Sequence, residues 1–454
     1  MSDSHPAAPA PVSLAEAFRF WLKLGFLSFG GPAGQIALMH QELVERRRWI
    51  SERRFLHALN FCMVLPGPEA QQLATYIGWL MHRRLGGLLA GGLFVLPSLL
   101  ILIVLSWIYC AYGQLALVAG VFYGIKPAVT AIVAQAAYRI GSRVLKNAWL
   151  WALALAAFVA IFALDLPFPL IVLVAGLIGY AGGRWRPAKF ALGGGHAAAG
   201  KSYGAALIDD DTPAPAHACL GWSHTARIVL CGVLLWCLPM LALWLTLGWL
   251  HTLTQMGWFF SKAALLTFGG AYAVLPYVYQ GAVSHYGWLR PTQMIDGLAL
   301  GETTPGPLIM VVAFVGFVGG YQSPQLAALF GSQHGFLAGA LAAVLVSGFT
   351  FLPSFVFIFA GAPLIERTHQ ELRFTAPLTA ITAAVVGVIL NLAVFFAYHV
   401  LWPQGFAAGV LAGLDGRAAL IALAAALALF RFKCSVIQVI LASALIGCLL
   451  GALG

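Results

Sequence analysis

Two carboxylates and two lysines stand beside paired helix-breaking motifs in a chain that is otherwise strongly apolar. Glu69 directly follows Pro66-Gly67-Pro68, inside the stretch FCMVLPGPEAQQLATYIGWL, and Glu302 precedes Pro305-Gly306-Pro307, separated from it by Thr303 and Thr304. A carboxylate inside an apolar helix is costly to bury and is a functional group by default, here suited to carrying a proton. A broken helix exposes backbone N–H groups at its new N-terminus, and these favour an anion. Lys23 and Lys262 each stand five residues before a hydroxyl, Ser28 and Thr267, which leads into a diglycine, Gly30-Gly31 or Gly269-Gly270. An ammonium, a hydroxyl and glycines that admit a ligand close to the backbone suit a small oxyanion.

The expected binding residues are therefore Lys23, Ser28, Gly30, Gly31, Pro66, Gly67, Pro68 and Gln71, with Lys262, Thr267, Gly269, Gly270, Thr304, Pro305, Gly306 and Pro307. Glu69 and Glu302 are the expected proton carriers. Plainer readings stand beside these. The prolines can be simple kinks, the lysines can snorkel to the lipid headgroups, and the carboxylates can serve only as hydrogen-bonding groups.

The motifs are positioned by a duplication. A gapless offset of 239 residues superimposes both breaks, Lys23 on Lys262 and Trp49 on Trp288, giving thirteen identities between Phe20 and Pro68. Under this offset Glu69 maps to Leu308 and Glu302 to Met63. Each half thus keeps one carboxylate, on opposite flanks of its break. This asymmetry predicts specialised halves, one holding an anion and the other handling a proton.

Hydrophobic residues make up 61% of the chain and charged residues 9%, against about 25% charged in a soluble domain. The expected class is an all-α polytopic membrane protein. Its formal charge of +10 reads as basic cytoplasmic loops rather than as nucleic-acid binding. The seven cysteines are scattered without a CxxC pair, and no HExxH, Walker A or credible GxGxxG motif occurs, so no metal, cofactor or nucleotide is expected. No nucleophile–base arrangement points to an enzyme.

Residues 1–184 form the first expected repeat, with a cytoplasmic N-terminus, and 185–226 a polar, flexible cytoplasmic linker. An apolar helix at 227–249 has no partner in the first half, and 250–454 form the second repeat. Basic residues cluster at 46–54, 83–84, 139–146 and 184–189. These share one membrane face only if the broken segments 13–44 and 55–82 are re-entrant, which lipid tolerates only inside protein or along a wet cavity. The unmatched helix then inverts the second half, giving two antiparallel repeats. Broken helices at matching positions of inverted repeats are a sequence-level pointer to a transporter's binding site.

FWLKLGFLSFGGPAGQ, ERRRW, LPGPEAQQLATYIGWLMH and FVLPS in the first half, with TFGGAYAVLPYV and TTPGPL in the second, resemble the chromate ion transporter family in its long-chain, two-domain form. The resemblance runs from about 14 to 454. It implies a multi-pass protein of the bacterial inner membrane that exports chromate using the proton gradient, with sulfate as a mimic and competitor. The implied partners are chromate, protons and the lipid bilayer, with a homodimer as a possible assembly. The residues alone leave two alternatives open: a transporter of sulfate or another small oxyanion, and an uncoupled oxyanion channel.

Overall fold

The computed structural model describes residues 9–29, 31–190, 203–213, 222–268, 270–331, 334–367, 375–406, 409 and 412–453. Helices dominate throughout. In the first half they are α1 (Leu14–Leu27), α2 (Gly31–His40), α3 (Glu52–Cys62), α4 (Glu69–Tyr112), α5 (Ala116–Val144), α6 (Ala148–Phe162), α7 (Phe168–Trp185) and the short α8 (Pro187–Phe190). Helix α9 (Trp222–Leu247) follows. The second half comprises α10 (Thr252–Leu265), α11 (Ala271–Tyr279), α12 (Pro291–Thr303), α13 (Val311–Tyr321), α14 (Pro324–Phe330), α15 (Gly335–Arg367), α16 (Thr375–Leu401), α17 (Gly416–Phe430) and α18 (Val436–Leu453). Among the described residues six helices are long and apolar enough to cross a membrane, or seven if the bent pair α13–α14 counts as one span. The protein is an all-α, multi-pass membrane protein.

The duplicated sequence produces duplicated local structure. A π-helical turn closes α2 at Gln41–Arg46 and another closes α11 at Gln280–His285, the same register shifted by 239. Phe20 packs edge-on to Trp49 at 4.7 Å, and the equivalent Phe259 to Trp288 at 5.7 Å. Positive φ recurs at matched positions: Gly31 and Gly270, Gly67 and Gly306, and Arg48 and Gly287.

The first broken segment folds back on itself. Ser13 caps α1, its hydroxyl accepting from Glu16 N. Past the break and the π-turn, Arg47 returns to lie 3.8 Å from Glu16 and over the ring of Phe20. Helix α4 also doubles back. It bends at His82 and at Arg83, whose φ is +57°. An unbroken helix would hold residues 78 and 86 about 12 Å apart. Instead a β-carbon added to Gly78 would stand 2.9 Å from the carbonyl carbon of Gly86, and one on Gly91 would stand 2.8 Å from Gln71 Nε2. Only glycines allow the two arms this approach. His82 Nε2 meets Val12 O at 2.8 Å, so the hinge lies beside the start of α1.

Small residues also join the two halves. Gly124 of α5 rides against Gly447 of α18, and Gly179 of α7 against Ala380 of α16, the close backbone packing typical of helices in lipid.

The linker departs from its expected flexibility. Residues 203–213 dock on the first half: Ile208 pairs in parallel with Ile50, Ser51 Oγ donates to Asp210 at 2.6 Å, and Arg48 donates to Ala205 O. Ile208 is buried in the first half's core. Ala206 is buried too and Tyr203 packs against the same core, so apolar side chains amid polar partners seat the strap. The GGG run and most of the Pro/Ala stretch lie outside the described residues.

Candidate functional site

The two proline–glycine–proline breaks are seated in each other's halves. Gly67 N donates to Thr267 O at 2.7 Å, and Gly306 N donates to Ser28 O at 2.7 Å. Donors and acceptors occupy equivalent positions in the repeat, so the contact is reciprocal, as in an isologous interface. The seats match as well. A β-carbon on Gly306 would stand 2.6 Å from Ser98 Cβ, and one on Gly67 would collide with the Ser354 hydroxyl. The duplicated pairs Pro97-Ser98 and Pro353-Ser354 thus each hold the opposite half's break.

Ser28 Oγ donates back to Leu24 O at 2.6 Å and Thr267 Oγ1 to Ala263 O at 2.7 Å. Both hydroxyls therefore satisfy their own helix ends in this conformation. Pro66 O accepts from Gln72 Nε2 at 2.8 Å, and Pro68 caps α4. Gln71 Nε2 bonds Thr75 Oγ1 at 3.0 Å, while Oε1 of both Gln71 and Gln72 is buried without a partner. Gln35 Nε2 reaches both Ser28 O and Gly306 O. In the second half Thr304 ends α12, its hydroxyl donating to Gly301 O, and Pro307 opens a single 3-10 turn, Leu308–Met310. Pro305 and Gly306 are buried between them. Gly31 opens α2 and Gly270 caps α11. Gly30 and Gly269 lie outside the described residues.

The two breaks differ chemically. After the first, α4 presents Glu69, Gln71 and Gln72; the equivalent positions after the second are Leu308, Met310 and Val311. Glu69 is half-buried at the first position of α4, its Oε1 3.9 Å from where a Gly270 β-carbon would sit. Glu302 is 7% exposed and accepts a hydrogen bond from the buried Tyr272 hydroxyl. Half-buried Arg139 of α5 is close enough to act electrostatically on both Glu302 and Tyr272. The first break therefore ends in a helix N-terminus, with the Gln71 and Gln72 amide donors engaged close by, and the second holds a carboxylate in a protein interior.

The lysines are not gathered at the breaks. Lys23 is exposed on α1, and Lys262 is half-buried with its ammonium 5.5 Å from the Trp258 ring centroid, one turn away from the break. Sequence reasoning missed Gln35, Gln72, Tyr272, Ser98, Ser354 and Arg139. The duplicated Pro-Ser pairs carried the signal for the serines. Tyr272 was hidden because its equivalent in the repeat is Ala33.

The family model for chromate transporters matches residues 15–180 and 254–448, both halves including both breaks. The chain belongs to the chromate transporter family. It is 34% identical over 385 residues to a chromate transport protein of Pseudomonas aeruginosa, covering 84% of this chain and 81% of that one. It is 30% identical over 389 residues to a chromate transport protein of Cupriavidus metallidurans, covering 85% of this chain and 83% of the relative. An uncharacterized transporter of Methanocaldococcus jannaschii is 25% identical over 393 residues, 86% of each chain. No solved structure matches the chain.

Proposed function

We propose that this member of the family is a secondary transporter that exports chromate across the bacterial inner membrane, coupled to the proton gradient by antiport. The oxyanion is held at the paired breaks, and Glu69 and Glu302 handle the proton. The observation that carries this reading is the reciprocal seating of two broken helices, each by the other's half, in a chain of this family. The helix N-terminus at the first break suits a tetrahedral dianion. Lys23 and Lys262 add positive charge on the approach rather than direct contact. Sulfate, equal in charge and close in shape, competes.

Expression in a chromate-sensitive bacterium is expected to lower cell-associated chromate, measured against an empty vector and with excess sulfate present. Unchanged accumulation despite confirmed membrane insertion would sink export. Flux into proteoliposomes with and without a pH gradient separates coupled transport from a channel.

The antiparallel arrangement carries its own expectation. In a cysteine-free background, a cysteine replacing the exposed Arg53 should resist impermeant thiol reagents in intact cells, while one replacing the exposed Arg290 should react. Labelling of both from outside would put the two loops on one face and remove the inverted reading.

A further inference from the structure

A cluster of basic side chains lies where the hinge of α4 meets the start of α9, and the transport reading leaves it unused. Arg84, exposed just past the bend at His82 and Arg83, places Nη2 3.0 Å from both Nδ1 and Nε2 of the half-buried His224. A nitrogen that close to both ring nitrogens lies over the imidazole plane, not in line with either lone pair. The guanidinium therefore stacks on the ring, as arginine does on planar groups, and the edge of its donor fork stays free for another partner. Arg227 follows His224 by three residues on α9, which puts the two on one helix face, and it too is exposed. The ion pairs of the described residues lie elsewhere, on His40, Arg46, Arg47 and Lys126, so no carboxylate among them offsets Arg84 or Arg227.

Two cations reaching into water are the plainer account, and the surface beside them argues for more. Both α9, over Ser223–Leu247, and α4 are long and apolar enough to cross a membrane. Immediately after the basic residues the two helices expose aliphatic side chains: Leu85 and Leu88 on α4, Val229 and Leu230 on α9. Between these, Ile228 turns inward and packs against the core of the first half. A cationic head thus stands above an apolar wall, both built from the same two helices and joined by the Arg84–His224 contact. The cluster is not part of the duplicated scaffold. Under the repeat offset Gln322 and Ser323 stand at the positions of Arg83 and Arg84, and α9 has no equivalent.

We propose that Arg84 and Arg227 seat the phosphate of an anionic phospholipid, whose acyl chains lie along the exposed aliphatic side chains of α4 and α9. A guanidinium fork matches phosphate oxygens bidentately, and basic pockets between membrane helices take lipid headgroups. A free phosphate or the carried oxyanion would meet the same cations but leave the aliphatic wall unused. A headgroup held by both arginines pins the hinge of α4 to the helix that joins the two halves.

The test titrates detergent-purified protein with phosphatidylglycerol and with phosphatidylcholine, reading bound lipid by native mass spectrometry and melting temperature alongside. Wild type should retain phosphatidylglycerol in preference to phosphatidylcholine, and rising salt should weaken that preference. Arg84→Gln and Arg227→Gln should each reduce it about fivefold, and the double variant about thirtyfold, at about 1 kcal/mol for each cation near the surface. Arg84→Lys keeps the charge without the fork and should fall between wild type and Arg84→Gln. Both arginines are exposed; if the double variant nonetheless fails to fold, the single variants decide on the fivefold step. Equal retention of the two lipids by wild type would overturn the site, and so would a wild-type preference in the folded Gln variants. Glycerol phosphate and sulfate, which carry the charge without acyl chains, should not displace the bound lipid at millimolar concentration. Displacement by either would assign these cations to a soluble anion and overturn the lipid site.

Discussion

Gly67→Ala and Gly306→Ala are each expected to destabilise the protein by about 2–6 kcal/mol and to abolish transport. Two costs combine. Their φ angles are +131° and +107°, a region that strains any residue with a β-carbon by about 1–3 kcal/mol. The added carbon also has no room: at Gly306 it meets Ser98, and at Gly67 it meets Ser354 and the Gln72 side chain, and such overpacking adds about 1–3 kcal/mol. Neither break can shift to relieve the clash without losing its hydrogen bond to the other half. Two other positive-φ glycines calibrate the argument. Gly31 has nothing within 4 Å of an added β-carbon, and Gly270 only Glu69 Oε1 at 3.9 Å, so alanine there should incur the backbone strain alone. Ser98→Gly combined with Gly306→Ala should recover the steric share but not the strain. Thermal unfolding of the purified variants reads out the series. A Gly306→Ala protein that melts like wild type would remove the seat from the account.

Glu302→Gln should abolish the response of flux to a pH gradient while leaving oxyanion binding in place. Glutamine keeps the size of the side chain, and its amide oxygen can still accept from Tyr272, but it cannot take up a proton. One pH unit across the membrane is worth about 1.4 kcal/mol per coupled proton, or about a tenfold accumulation ratio, and that factor is what should vanish. Glu302 is the stronger candidate of the two carboxylates because it is buried, held by a phenol and influenced by Arg139. Glu69→Gln tests the half-buried carboxylate at the first break in the same assay. Gradient-driven transport retained in both single variants would take carboxylates out of the coupling step.

Much of the architecture was legible in the chain because it is local. The breaks announce themselves as Pro-Gly-Pro and Gly-Gly, and the helices between them as apolar runs. The shared register of 239 residues even marks where both π-turns fall. What remained hidden depends on partners remote in sequence. Nothing near Gly67 says that its N–H will find Thr267, and neither Arg84 nor His224 signals the other. Identity at equivalent positions does not bring identical surroundings. Lys23 and Lys262 match, but their neighbours one turn earlier do not: Arg19 in one half is Trp258 in the other. The tryptophan gives Lys262 a ring face to lie against, and Lys23 has none among the described residues. The strap at 203–213 was read as loose because its composition is polar. Its seat depends on Ile208 finding a groove that local sequence does not describe.

The exchanged hydrogen bonds also set a schedule for biogenesis. Thr267 lies 200 residues after Gly67, and a ribosome takes about 10–40 s to make that much chain. Throughout that interval the Gly67 amide has been synthesised but its partner has not. In hydrocarbon an unmet backbone polar group costs several kcal/mol, so the first half has good reason to stay near water or insertion machinery until the second arrives. A pause or truncation between the halves should therefore yield a nascent chain unusually open to quality-control proteases, and supplying the second half as a separate polypeptide should protect it.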